Sequence, residues 1–256
     1  MQLSNITSIF KNKGSRSDLE NDRGIFILPV MKKILDKLIY NDNYENIDKS
    51  MSNSNIGARK SRNIRDHLFV LYGTINSVSK GNQGCIDIQT YDIKKCFDAL
   101  WLDECMNDLY NALPSEKKND QISLLYQANK TNLVAVKTPV GYTERTDLPL
   151  IVQQGGTWGS LLCANSIDTI GKYCGESGEG IYLYKGVTEV LPLSFIDDLT
   201  GIARCGLNSL KLNTIINTKI ELKNYSFIRI NVQLCMSANT TIVVHLLKFM
   251  ATVCPK

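Results

Sequence analysis

Two adjacent carboxylates, Asp197 and Asp198, sit inside an otherwise apolar, strand-like run, PLSFIDDLTGIA, at residues 192–203. Side chains alternate across a strand, so a strand running through both would turn one of them towards the interior or into a crevice. A tight turn is the plainer solution, because aspartate hydrogen-bonds its own backbone and tolerates unusual dihedrals. A third acid, Asp92 in TYDIKKCFDALW, falls where a strand gives way to a helix, 105 residues earlier in the chain. Like charges about 4 Å apart repel by roughly 4 kcal/mol at an effective dielectric of about 20. Three converging acids therefore need a shared proton or a bound cation, and hard divalent ions such as Mg²⁺ suit oxygen ligands best.

The rest of the chain narrows the setting. Its 256 residues can bury a substantial core, in one domain or two small ones. No apolar run is long enough to cross a bilayer, and MQLSNITSIFKNKGS lacks a signal-peptide core, so the expected location is intracellular, in nucleus or cytoplasm, with no membrane partner. Eight cysteines occur without a CxxC pair and with only two histidines, His67 and His245. That is a poor zinc inventory, and the cysteines read as reduced, buried small residues. The net charge of +4 is uneven: residues 1–80 carry 13 Lys and Arg against 8 Asp and Glu, and the remainder stands at −1. The densest cluster, RKSRNIR at residues 59–65, is either a solvated helix face or a site for phosphates.

Periodicity supplies the elements. LPVMKKILDKLI predicts a helix opened by Pro29, with Met31, Leu35 and Leu38 on its apolar side, followed by a polar loop, YNDNYENIDKSMSNSN. Ile64, Leu68, Leu71, Ile75 and Val78 define a second helix that stops at Gly81. GCIDIQTYDIKKCFDALW begins as a strand and turns helical around Phe97, and two further helices follow. NLVAVKTPVGYTERTDLPLIVQQGG predicts two or three strands with a turn at Pro139–Gly141, then a helix over residues 159–173. CGESGEG lacks the Lys-Ser/Thr of a phosphate-binding loop and reads as a connection. Short strands around the Asp-Asp pair and a last helix, LNSLKLNTIINTKIELKNYSF, complete the pattern, with no internal repeat.

Taken in order, YDIKKCFDALW, QGGTWGSLLCANSID and FIDDL resemble the polymerase motifs of reverse transcriptases. The nearest flavour is the RNA-directed DNA polymerase of LINE-type (non-LTR) retrotransposons. RGIFILPVMKKILDKLI and SNIGARKSRNIRDHLFVL resemble the preceding fingers motifs, and NTKIELKNYSF the segment after the Asp-Asp hairpin. The resemblance covers roughly residues 20–228. It implies an α+β fold: a polymerase palm, a small antiparallel sheet backed by helices, with basic helical fingers. The expected divisions are a fingers-like region at 1–84, palm at 85–114, a fingers-like insertion at 115–148, palm again at 149–228, and an unassigned tail at 229–256.

The resemblance also implies roles. Asp92 and Asp197 would hold two Mg²⁺ ions, with Asp198 beside them as the less directly bound acid. Phe97 would pack under the incoming sugar and exclude a 2′-hydroxyl; otherwise it is a core aromatic. Gln154 and Gly155 match the pair that lets the backbone approach nucleotide and template. Arg59 would pair with the triphosphate, where a planar fork suits phosphate oxygens. Either Lys219 or Lys223 would stand near the pyrophosphate leaving group. The implied partners are an RNA template, a DNA primer and deoxynucleoside triphosphates.

Two departures qualify the match. Ser160 follows Gly159 where the family commonly has proline, which alters how a helix starts without removing chemistry. Beyond SFIRINVQLCM the resemblance fades where a thumb is expected, and the acid-free tail reads as a frame-shifted or mis-spliced terminus. The chain as given is therefore expected to be a weak or inactive polymerase. A non-catalytic nucleic-acid-binding remnant is the alternative in another class. An RNA-copying RNA polymerase is a further one, against which Phe97 speaks.

Overall fold

The computed structural model describes residues 3–80, 85–93, 96–115, 120–130, 132–148, 152–178, 181–183, 188–204, 206–223 and 227–235. The tail beyond residue 235 lies outside them, and with it the reading of that segment as foreign.

A four-stranded antiparallel sheet organises the molecule. Its central strands are β3 (Cys85–Ile93) and β10 (Asp198–Arg204), flanked by β11 (Phe227–Cys235) and β9 (Leu193–Phe195), in the order β11-β3-β10-β9. Alternation puts the two faces to different uses. Ile86 and Ile88 of β3 and Ile202 of β10 are buried in one cluster with Leu71, Ile75 and Val78 of helix α2 (Ile64–Lys80). Tyr91 and Ile93, with Leu199 and Ala203, enter the main core on the other face. There they meet α4 (Leu102–Ala112), α6 (Gly159–Ser177) and α7 (Leu207–Leu222). Strand β11 carries the sheet past residue 228, where the sequence resemblance ends.

The second sheet is assembled from two distant pieces of chain. Strands β1 (Leu3–Phe10) and β2 (Asp22–Ile27) form an antiparallel hairpin, and β1 pairs in parallel with β4 (Asn132–Thr138). Short strands β5 (Gly141–Tyr142) and β6 (Thr146–Leu148) fold back on β4. The N-terminal strand pair was not anticipated from sequence. Its signal is a hairpin signature: β-branched and aromatic residues in NITSIF and RGIFIL around the turn-forming KNKGSRSD. Strands β7 (Ile181–Leu183) and β8 (Thr188–Val190) form a separate two-stranded ribbon. Helices α3 (Cys96–Ala99) and α5 (Asp120–Asn129) complete the set.

Helix α1 (Val30–Ser50) departs from expectation twice. It runs on through YNDNYENIDKS, predicted as loop, because Ile39, Asn43, Tyr44 and Ile47 dock into the core. It also buries a partly different side of its first turns. Met31 and Leu38 are 76% and 63% exposed, Leu35 packs part-buried against the main core as expected, and Lys32 and Asp36 are buried. Lys32 Nζ reaches both Asp36 Oδ2 and Asn129 Oδ1 at 2.8 Å, and Trp158 Nε1 donates to the Asp36 carbonyl at 3.1 Å. A buried charge is tolerated only with such partners. Among the described residues, no helix is long and apolar enough to cross a membrane.

Candidate active site

The acids converge because of strand register. Asp198 is the first residue of β10 and stands directly opposite Asp92 on β3. Opposed residues of an antiparallel pair project from the same face. That face is apolar at Ile86 and Ile88, turns polar at Thr90 and ends at Asp92. Asp197 lies one residue earlier, in the two-residue turn Ile196–Asp197 that joins β9 to β10, closed by the pairing of Phe195 with Asp198. The hairpin expected from sequence is thus present, with one acid in its turn and the next opening a strand.

The turn is strained and supported. Ile196 adopts φ +57°, a region that β-branched residues avoid at a cost of about 1–3 kcal/mol. The segment after α1 runs beneath it. Ser194 N–H donates to the Ser54 carbonyl and Ile56 N–H to the Ser194 carbonyl, both at 3.0 Å. Asn55 locks the segment, its Nδ2 donating to the Ala164 carbonyl at 2.7 Å and its Oδ1 accepting from Gly57 N–H at 3.0 Å. Gly57 has no room for a side chain, since a Cβ there would stand 2.3 Å from the Ile196 nitrogen.

A cleft of about 750 Å³ opens over the turn, within the size range of small-molecule sites. Asp92, Asp197, Phe97, Gln154 and Gly155 line it, with Cys96, Ser160 and Ile196. Gly155 has φ +102°, and a Cβ on it would come within 2.9 Å of the Phe26 carbonyl oxygen. Only glycine allows the loop this close to β2, where Phe26 N–H donates to the Gln154 carbonyl at 2.9 Å. Phe97 is half-buried, touching both the core and the cleft, so the two readings of it meet in one position.

Electrostatics divide the cleft into two walls. Burial, then the neighbouring Asp197 and Asp92, pushes the Asp198 carboxyl up to about 6. Burial also raises Asp197, with Asp92 adding to the rise and Arg23 opposing it. Facing these acids is the β1–β2 hairpin, which brings Lys11, Lys13 and Arg23 to the cleft, together with Glu20 and Asp22. The hairpin tip is held locally: Asp18 Oδ1 accepts from Glu20 N–H at 3.0 Å, Lys11 Nζ donates to the Glu20 carbonyl at 3.0 Å, and Ser8 bonds Asp22.

Three other sequence candidates lie elsewhere. Arg59 is buried and four of its five N–H donors are engaged: Nε meets Asp48 Oδ1 at 2.7 Å, Nη1 the carbonyls of Ser52 and Asn55 at 2.7 and 2.8 Å, and Nη2 the Asp48 carbonyl at 2.9 Å. It ties the segment under the turn to the end of α1 and presents no donor to the cleft. Lys223 Nζ is bound to Asp108 Oδ2 at 2.6 Å and Ser166 Oγ at 3.1 Å. Lys219 stacks over the Tyr173 ring, 3.9 Å from its centre. Neither lysine lines the cleft. The cations that do were missed in the sequence because they are scattered over a hairpin and form no dense run.

A divalent ion fits the donor chemistry. Asp92, Asp197 and Asp198 offer carboxylate oxygens only, the donor type that hard divalent ions prefer; Asp197 and Asp198 are raised first by burial and then by neighbouring acids. As they stand, the described residues hold no group of three or more acids, cysteines or histidines already set as a metal cage.

With that geometry in hand, likeness to solved structures becomes informative. Apo telomerase from Candida tropicalis matches with a TM-score of 0.63 over 93% of this chain and 45% of that one, at 14% identity. Apo telomerase from Candida tropicalis truncated from its C-terminal domain matches at 0.60, over 93% and 51%, at 15% identity. Telomerase from Candida albicans in complex with a TWJ fragment of telomeric RNA matches at 0.58, over 94% and 43%, at 13% identity. The fold is that of a reverse-transcriptase-like polymerase, palm and fingers. The chain spans about half the length of these telomerases, or less. No protein-family model matches the chain, and neither does any curated protein.

Proposed function

We propose that this chain is the palm and fingers of an RNA-directed DNA polymerase that adds deoxynucleotides to a primer 3′-hydroxyl. The observation that carries the reading is the register of β3 and β10, which sets Asp92 against Asp198 beside Asp197, across a cleft from Lys11, Lys13 and Arg23. Asp92 and Asp197 would hold Mg²⁺, with Asp198 next to them; when bound, such ions offset charge on the attacking and leaving oxygens of phosphoryl transfer. Arg23 and the two lysines would bind the triphosphate, a role the structure leaves open because Arg59 is engaged elsewhere. Phe97 would form the floor under the sugar, and Gln154 with Gly155 would bring the backbone against the base pair. Most of the protein's contribution is then positioning and fixed charge.

RNA is the template in this reading, supported by the RNA-bound telomerase among the similar structures and by the basic N-terminal third. A LINE-type retrotransposon origin rests on the sequence motifs alone. The test is extension of a DNA primer annealed to RNA, with deoxynucleotides and Mg²⁺, by the parent chain and Asp197→Asn. Extension by the parent that vanishes in the variant supports the reading. Equal extension by both, or none by a folded parent that also fails to bind deoxynucleotide, overturns it.

A further inference from the structure

The reaction proposed above makes no use of two sulfurs that lie behind the acid turn. Cys96, on α3 at the end of the Asp92 strand, and Cys163, on α6, are 67 residues apart in sequence with their Sγ atoms 2.9 Å apart. Both are free and buried. Cys96 is 3% exposed and forms part of the cleft wall, which makes its side of the pair the nearer one to solvent. Cys163 Sγ–H points the other way, donating to the Ile196 carbonyl at 3.7 Å. Contact with Cys96, then burial, pushes the Cys163 thiol well up, which keeps its proton on this donor at rest.

We propose that Cys96 and Cys163 form a reversible dithiol–disulfide pair, oxidised by peroxide, whose closure withdraws a hydrogen bond from Ile196 and loosens the turn carrying Asp197. The sulfurs need to approach by less than about 1 Å to reach bonding distance, about 2.05 Å. Helix α3 is a single four-residue turn, which makes that shift local. In the first step the Cys96 sulfur attacks one peroxide oxygen. The O–O bond breaks, a sulfenic acid forms, and the departing oxygen takes a proton as water. Cys163 sulfur then attacks Cys96 sulfur; the S–S bond forms, the S–O bond breaks, and a second water leaves with the Cys163 proton. Two thiols lose two electrons and two protons, and one peroxide becomes two waters. The bond from Cys163 to Ile196 cannot survive, because the hydrogen that made it is gone. Ile196 already holds an unfavourable φ, so the turn has little reserve.

The consequence for synthesis rests on the polymerase reading, but the modification itself does not. The full chain is treated with hydrogen peroxide, quenched, alkylated and mapped without reduction. The expected result is a Cys96–Cys163 linked peptide in most molecules, lost on adding dithiothreitol. Hydrogen exchange over residues 193–199 is expected to quicken on oxidation. Cys163→Ser keeps a donor for Ile196 and should fold, give no linked peptide, and show no peroxide effect on exchange. Free thiols at both positions after treatment, oxidation of either sulfur alone, or full linkage with unchanged exchange would each overturn the proposal. Primer extension on the same samples is expected to fall on oxidation and return on reduction, and fully linked protein that extends at the reduced rate counts against it. If no sample extends, the reduced parent included, the polymerase reading fails, while linkage and exchange still decide this one.

Discussion

The two walls of the cleft are built by different means. On one side the acids are set by a rigid central ladder: β3 is paired on both edges, and its register with β10 places Asp92 and Asp198 as direct partners. On the other side the cations stand on a hairpin whose tip is held by its own short-range hydrogen bonds and joined to the Gln154 loop through Phe26. Asp92, within a doubly paired strand, is positioned by many bonds at once, whereas Lys13, at the hairpin tip, is positioned by few. Asp197, in its turn, and Arg23, on β2 opposite Ile9, stand between these extremes. The acid wall is therefore suited to fixed electrostatics, and the basic wall to grasping and releasing a charged ligand.

Substitutions in each wall should separate these roles. The largest effect is expected within the acids: Asp92→Asn should lower primer extension by on the order of 10³-fold. Asp198→Asn should cost less, since Asp198 does not line the cleft. Equal losses at both positions, measured as single-turnover rates, would erase the distinction between them.

Next comes the basic wall against its decoy. Arg23→Ala should raise KM for deoxynucleotide with kcat/KM down by about 10- to 100-fold, the worth of a charge-assisted contact of about 1.5–3 kcal/mol, and with little change in Tm. Arg59→Ala should do the reverse, removing about 2–3 kcal/mol of stability by leaving Asp48 and three carbonyls without their donor, at near-parent KM. That figure is kept modest because Asp48 is a third exposed. A KM effect at Arg59 with unchanged Tm would put the triphosphate back where the sequence resemblance had it.

Phe97→Val should relax sugar selection by roughly tenfold, read as the ratio of ribo- to deoxyribonucleotide kcat/KM. Parallel loss with both substrates would instead return Phe97 to a purely structural place. The smallest effect concerns the support beneath the turn. His67 Nε2 bonds the Ser54 carbonyl at 2.8 Å, and burial holds its pKa below the ordinary histidine value. The Ser54 bond and Asp66 oppose that shift without reversing it. The unfolded chain then binds the proton more tightly, so stability is full above about pH 6.5 and declines as pH falls through the unfolded value. A Tm that drops between pH 7 and 5 in the parent but less in His67→Gln is the expected result; identical slopes would remove His67 from the account.

What the sequence determined by itself was local and periodic. Alternating apolar residues in CIDIQTYDI predicted β3, the stripe from Leu68 to Val78 predicted α2, and an acid pair between short apolar runs predicted a hairpin. Each signal is complete within a dozen residues, because a strand or helix shows its buried face through its own spacing. Tertiary structure decided what faces what. Lys32 and Asp36 went inward, against the apolar pattern of α1, because they pair with each other and Asn129 from a distant segment accepts a second bond from Lys32. Arg59, in the densest basic run of the chain, was taken up by Asp48 and the carbonyls of Ser52 and Asn55. Arg23, isolated in sequence, came to face Asp197 through a sheet that joins residues 3–27 to residues 132–138. Pairing between segments that far apart is set by long-range register and packing, and no local pattern encodes it.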